Sequence, residues 1–292
     1  MDMKSKGIKI AILSGKGGTG KTLVSVNLAS VADKAVYIDC DVEEPNGHLF
    51  FEPEDVEYAD VTVKMPEIDY SLCSGCRKCV DFCRFNALAF IGEKPMIFED
   101  VCHPCGGCAF VCSEKAILEA DRIIGEIQKG VSDTVTVYTG FLYTGEESGV
   151  PIIKKLLESR NDEDLLKIID CPPGSNCVVM ESIKDADYCV LVAEPTVFGV
   201  HNLNMVYELV QLFNKPYGVV LNKCLEGENP SEKFCSEHNI PILGRIPFDS
   251  ELGRLNSNGA IVSRGSQEFK DLFSSLLQKV IEEVQHEPAV NP

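Results

Sequence analysis

The sequence predicts an α/β chain: a doubly wound, mostly parallel sheet with helices on both faces, interrupted by a small cysteine-rich α+β unit. Three observations predict it. A short apolar run, Ile8 to Leu13, leads into a glycine-rich turn and then into Lys21 to Ala32, whose apolar residues (Leu23, Val24, Leu28, Val31) fall at helical spacing. Apolar runs of strand length then recur along the chain, several ending in Asp or Asn. From about Val56 to Ile123 that rhythm stops, and the interval holds two matching sets of cysteines.

The first turn is Gly15-Lys16-Gly17-Gly18-Thr19-Gly20-Lys21-Thr22. It satisfies G-x-x-x-x-G-K-[ST] in the strand–turn–helix context that gives the pattern its meaning, a phosphate-binding loop. Glycine lets the backbone approach an anion with no Cβ in the way. Successive N–H groups and the positive helix end then converge on phosphate. In such a loop Lys21 reaches the β- and γ-phosphates and the Thr22 hydroxyl ligates Mg²⁺. The next strand pattern, Ala35 to Ile38, ends in Asp39-Cys40-Asp41. Carboxylates there stand where open α/β sheets bind ligands.

The cysteine sets are Cys73, Cys76, Cys79, Cys83 and Cys102, Cys105, Cys108, Cys112, each spaced 2-2-3 and repeating every 29 residues. This is an internal duplication. Soft thiolates suit iron–sulfur centres, and paired C-x2-C also serves zinc. Leu88 to Ile91 and Met96 to Phe98, joined by Gly92-Glu93-Lys94-Pro95, read as a hairpin. The segment has few large apolar residues, so its metal centres are expected to act as its core.

Beyond it, Val135 to Tyr138 is a strand, Gly145 to Gly149 a polar turn, and Val150 to Ser159 a helix. Leu165 to Ile169 is a strand ending in Asp170-Cys171-Pro172-Pro173-Gly174. Tyr188 to Ala193 precedes a helix from about Val200, and Tyr217 to Leu221 ends in Asn222-Lys223. Ile242 to Ile246 with Pro247-Phe248-Asp249 closes the sheet. The last helix, Phe269 to Val284, carries a broad apolar stripe and a face of mixed sign, which reads as core packing rather than a membrane anchor.

The chain has 292 residues and a net charge of −18. Acidic balance disfavours nucleic acid, whose binding needs Lys and Arg on phosphates, and anionic lipid. No run of about 18 apolar residues exists, and the polar start, Met1 to Lys9, leaves no room for a signal peptide. A cytoplasmic protein is expected, and its fourteen cysteines then point to metal rather than disulfides.

The form K-G-G-x-G-K-T, with Lys16 early in the loop, resembles the MinD/Mrp/ParA and nitrogenase-iron-protein superfamily of P-loop ATPases. The resemblance covers nearly the whole chain. It implies a homodimer with ATP at its seam, Lys16 reaching the partner's nucleotide. It implies that Asp39 and Asp170 hold the Mg²⁺ shell with Thr22, that Asp41 orients the attacking water, and that Gly174 reports the γ-phosphate. Asn222 would read adenine, with a plain strand-end turn as the alternative, and the turn at Pro247 would border the base.

The cysteine runs resemble the bacterial two-cluster ferredoxin, in which three cysteines of one run and the fourth of the other bind each [4Fe–4S] cluster. That gives Cys73, Cys76, Cys79 and Cys112 for one cluster and Cys102, Cys105, Cys108 and Cys83 for the other. The usual proline after each fourth cysteine is replaced by Arg84 and Ser113. The organisation expected is an ATPase domain over 1–56 and 123–292 with a ferredoxin-like insert over 57–122. Cys177 lies seven residues past Asp170, where the nitrogenase iron protein carries a cluster ligand, but no second ligand is evident around Phe141 to Val150, so a buried thiol is expected. Three functions follow: an ATP switch gating electron transfer to a redox or iron–sulfur client, an Mrp-type cluster carrier, or a partitioning switch of the MinD/ParA type.

Overall fold

The computed structural model describes residues 7–158 and 164–286. In chain order the elements are β1 Lys9–Leu13, α1 Lys21–Val31, β2 Ala35–Asp39, α2 Gly47–Phe51, β3 Glu54–Ile68, α3 Lys78–Phe82, β4 Leu88–Ile91, β5 Lys94–Ile97, α4 Gly107–Phe110, β6 Ile117–Ser132, β7 Val135–Leu142 and α5 Val150–Leu157. Then follow β8 Leu166–Asp170, α6 Cys177–Ile183, β9 Tyr188–Ala193, α7 Val197–Leu212, β10 Tyr217–Cys224, α8 Pro230–Glu237, β11 Ile242–Pro247, α9 Ser250–Ser257, α10 Val262–Gly265 and α11 Gln267–His286. The end expected for the helix from Val150, Ser159, lies outside the described residues, as do the first six residues of the polar start.

The strands form one nine-stranded sheet, ordered β11-β10-β9-β1-β8-β2-β7-β6-β3, and a hairpin of β4 with β5. From β11 to β7 neighbours are parallel. β6 and β3 extend that edge as an antiparallel ribbon. The mostly parallel, doubly wound sheet expected from the sequence is the one formed.

Central strands bury both faces, and alternate residues enter different cores. Ala11, Leu13, Val36, Ile38, Leu191 and Ala193 pack with α5, α6 and α7. Ile10, Ile12, Ala35, Tyr37, Val190 and Val192 pack with α1, α10 and α11. The stripe on the last helix does what its period predicts: Phe273, Leu276, Leu277, Val280 and Ile281 are buried in the second core. Among the described residues no helix is long and apolar enough to cross a membrane.

The ribbon is the main element the sequence reading lacked. Residues 57 and 122 both fall inside it. Much of β3 is exposed, and its apolar alternation is confined to Val61, Val63 and Met65, too short a run to mark a 15-residue strand. Beyond Ile68↔Ile117 lies a third small core of Cys79, Ala87, Leu88, Cys108 and Ile117. The 29-residue repeat reappears there as geometry. Asp69 N donates to Ala116 O and Phe98 N to Ala87 O, both at 2.8 Å. Arg77 and Gly106 share positive φ, as do Asn86 and Lys115. Two copies of one unit cross over each other.

Phe273 is fully buried at the centre of the second core. Phe273→Ala should cost about 3–5 kcal/mol, read as a lower urea midpoint at unchanged slope.

Candidate functional site

Ser14 and Gly15 leave the end of β1, and α1 begins at Lys21. Between them Gly18 and Gly20 take φ of 74° and 99°, a region only glycine enters freely. Gly20 caps α1 without a side-chain bond, so the first N–H groups of the helix stay free for a ligand. The loop's carbonyls are held from behind. Ser14 Oγ and Thr19 Oγ1 donate to Lys16 O at 2.9 and 3.0 Å. Asn222 Nδ2 donates to Thr19 O, and Lys223 Nζ to Gly18 O, both at 2.8 Å. In a planar trans peptide a carbonyl turned backward turns its N–H forward. The loop faces a cleft of about 650 Å³ lined by Gly17, Lys21, Thr22, Asp41, Asn46 and Asn258 among others.

Parallel register sets Asp39 on β2 beside Asp170 on β8. Both are 1% exposed. Lys21 Nζ lies 2.7 Å from Asp170 Oδ1 and 3.7 Å from Asp41 Oδ2. Burial works against the ammonium, yet Asp170, Asp41 and Asp39 together raise the Lys21 pKa above its ordinary value. Asp39 accepts from the backbone N–H of Asp41, Asn46 and Gly47 at 3.1, 3.1 and 2.8 Å. Burial first, then the Asp170 charge, pushes its carboxyl up to about 7. Burial does the same for Asp41, to about 6, with Lys21 opposing. Three carboxylates around one ammonium leave surplus negative charge on hard oxygen donors, the chemistry that suits Mg²⁺.

Sequence reasoning missed three residues here. Tyr37 Oη donates to Asp170 Oδ2 at 2.8 Å. Glu194 bridges two lysines, Lys16 Nζ at 2.8 Å and Lys223 Nζ at 2.6 Å. Burial opposes ionisation of Glu194, but both lysines outweigh it and hold its carboxyl below the ordinary value. The signature lysine is thus folded back onto its own chain. Glu194 ends an apolar strand as Asp39 and Asp170 do, and that pattern could have flagged it.

The structure gathers Gly15 to Thr22, Asp39, Asp41 and Asp170 in one place. Asn222 is buried beneath the loop, its Nδ2 on Thr19 and its Oδ1 taking Lys223 N at 2.9 Å. Pro247 lies at the exposed end of β11, paired with Cys224. Neither lines the cleft. Cys177, expected buried, is exposed because it opens α6 at the sheet's carboxyl edge, where Asn176 caps the helix.

The eight repeated cysteines line two cavities. One carries Cys73, Cys76, Cys79 and Cys112, the other Cys83, Cys102, Cys105 and Cys108. Crossing of the two copies brings each fourth cysteine to the other run. Ala116 N donates to Cys112 Sγ at 3.2 Å. Four thiols around a cavity, with a backbone donor on one sulfur, suit a cluster held at its corners. Among the described residues no group of three or more His, Cys, Asp or Glu side chains is already placed as the ligands of one metal ion.

A family model described as the CobQ/CobB/MinD/ParA nucleotide binding domain matches residues 10–262. An uncharacterized protein of Methanocaldococcus jannaschii is 32% identical over 280 residues, 92% of this chain and 96% of its own. An iron-sulfur cluster carrier protein of the same organism is 23% identical over 298 residues, 93% of this chain and 84% of its own. The septum site-determining protein MinD of Pyrococcus horikoshii, solved with Mg-ADP, superposes with a TM-score of 0.58 at 18% identity, over 94% of this chain and 95% of that one.

Removing the Asn222 amide leaves the Thr19 carbonyl unpaired. Asn222→Ala should weaken ATP binding about tenfold, the weight of one buried hydrogen bond, in a titration with fluorescent nucleotide. A parallel loss for GTP assigns the effect to the loop anchor; a loss confined to ATP assigns it to base reading.

Proposed function

The chain belongs to the CobQ/CobB/MinD/ParA nucleotide-binding family, and from that premise we propose a dimeric ATPase switch that couples ATP turnover to electron transfer through two [4Fe–4S] clusters. Residues 1–56 and 123–292 form the ATPase domain, and 57–122 a ferredoxin-like insert. The reaction is phosphoryl transfer to water, where positioning and charge stabilisation do most of the work. The loop N–H groups and Lys21 hold the phosphates. Thr22, Asp39 and Asp170 hold Mg²⁺, which when bound neutralises charge on the phosphate oxygens. Asp41 orients the water. Lys16 leaves Glu194 to reach the partner's nucleotide across the dimer seam. Each set of four crossed cysteines holds one cluster, which when bound carries single electrons. An unidentified redox client receives them.

One observation carries the coupling. The second cysteine loop rests on the loop between β7 and α5. His103 Nε2 is 3.2 Å from Glu147 Oε2, and Arg122 reaches Glu146 at 2.8 Å and Glu99 at 3.5 Å. They border a cavity of about 230 Å³ that Cys102 and Gly145 also line. At its other end the same loop is tied to the nucleotide site, for Leu142 N donates at 2.8 Å to the carbonyl of Val42, the residue after Asp41. Gly149 packs on the Val42 side chain so closely that a Cβ would collide. On this reading a movement at Asp41 would be felt at Cys102.

A second reading, an iron–sulfur cluster carrier, has the support of the relative that bears that name. It requires a cluster that leaves for an apo-acceptor, with iron lost from this chain.

Anaerobically purified protein should hold about eight irons per chain. The Kd for an MgATP analogue should differ between oxidised and reduced protein by about fivefold or more, a usual coupling. Replacing Glu146 and Glu147 together by Ala should erase that difference at unchanged iron content. Equal affinities in the unaltered protein refute coupling, and transfer of iron to an apo-acceptor selects the carrier.

A further inference from the structure

The hydroxyl of Tyr37 is the buried polar group that the reaction scheme leaves unused. Tyr37 is completely buried in the core under α1. Its ring meets Phe51 with centroids 4.9 Å apart and fills the space that Gly47 leaves open. Phenylalanine would serve those contacts equally well. Burying a hydroxyl costs free energy unless it finds a partner, and here the partner is the carboxylate of Asp170.

The geometry of that carboxylate is fixed from two sides. Lys21 Nζ takes Oδ1 at 2.7 Å and Tyr37 Oη takes Oδ2 at 2.8 Å. The two donors come from different elements, α1 and β2, while Asp170 ends β8. A phenol has a single proton to give, and here it is given to Asp170 Oδ2. Lys21 is a long, flexible side chain that must turn to phosphate when nucleotide arrives. The phenol is rigid and locked by packing. It is the donor that stays.

We propose that Tyr37 is a positioning residue for Mg²⁺-dependent nucleotide binding: its hydroxyl fixes the Asp170 carboxylate, through Oδ2, in the orientation in which that carboxylate would serve the metal shell. This rests on the assignment of Asp170 to that shell. Partners of metal-binding carboxylates that sit one shell out are worth about 10–100-fold in metal affinity. A residue that merely filled the core would affect stability and leave the metal dependence alone.

The test is a magnesium titration of nucleotide binding with a fluorescent ATP analogue, in the full-length protein, with Tyr37→Phe, Asp170→Asn and the double variant. Tyr37→Phe should raise the Mg²⁺ concentration needed for half-maximal binding about tenfold, while magnesium-free affinity stays as it was. In the Asp170→Asn background the same change should have no further effect on magnesium, since coupled residues fail additivity. An unchanged magnesium midpoint in Tyr37→Phe overturns the proposal. So does an equal loss in both backgrounds, which would show that Tyr37 acts other than through Asp170. Loss of magnesium-free binding in Tyr37→Phe also overturns it, because the hydroxyl would then be a support of the fold. If Asp170→Asn alone leaves the magnesium midpoint untouched, the assignment of Asp170 itself fails, separately from the role of Tyr37.

Discussion

Three carboxylates and one ammonium share a small space at the carboxyl edge of the sheet, beside an open cleft, and the rest of the molecule is arranged around that imbalance. Asp39 and Asp170 are almost fully buried, and Lys21 compensates only part of their charge and that of Asp41. Carboxylates packed together at low dielectric raise one another's pKa, and Asp39 and Asp41 are both displaced upward. Such a site is costly until cationic charge enters it. Backbone donors to Asp39 and the Tyr37 hydroxyl on Asp170 reduce that cost and fix each carboxylate in place. The polar end of the sheet thus carries surplus negative charge on fixed oxygens, beside loop N–H groups of the kind that accept an anion.

A loop made of glycines has no stiffness of its own, so its shape must be imposed. It is imposed here from β10. Asn222 and Lys223 grip two successive carbonyls of the loop, at Thr19 and Gly18. Lys223 also meets Glu194, and Glu194 meets Lys16. One acidic side chain, held ionised by two lysines, therefore governs both the back of the loop and the resting place of its early lysine. Lys16 remains substantially exposed in that contact, whereas Glu194 does not. The lysine is the mobile partner of the pair.

What was legible in the sequence was local. The glycine spacing, the strand-end aspartates and the 2-2-3 cysteine runs each carry their meaning within a few residues, and the sheet follows from apolar runs buried on both faces. What was not legible depends on distance along the chain. Tyr37 and Asp170 are 133 positions apart, and Asn222 and Thr19 are 203 apart. Asn222 reads as the end of a strand, but nothing in its neighbours tells that its amide donates to the Thr19 carbonyl. The ribbon escaped for a different reason. The apolar alternation of β3 is short, Val61, Val63 and Met65, and the rest of Glu54 to Ile68 is mostly exposed. Its polar, β-branched composition is compatible with a loop until a partner strand is known.

That ribbon changes what the cysteine unit is. A unit joined by two flexible linkers would sit wherever entropy left it, indifferent to events at Asp41. This one leaves and returns on strands that belong to the main sheet. Asp39 pairs with Thr139 on β7, Thr139 with Gln128 on β6, and Gln128 with Tyr58 on β3. Hydrogen-bonded registers thus link β2 to β3 across the ladder, with bulges in the β3/β6 pairing. Towards its tip the β6 strand of the ribbon is largely solvated. It is there that Arg122 and His103 reach back to Glu146 and Glu147. The brace is polar and partly exposed, so each contact is weak by itself. A brace of such weak contacts can be made or broken at a small free-energy cost.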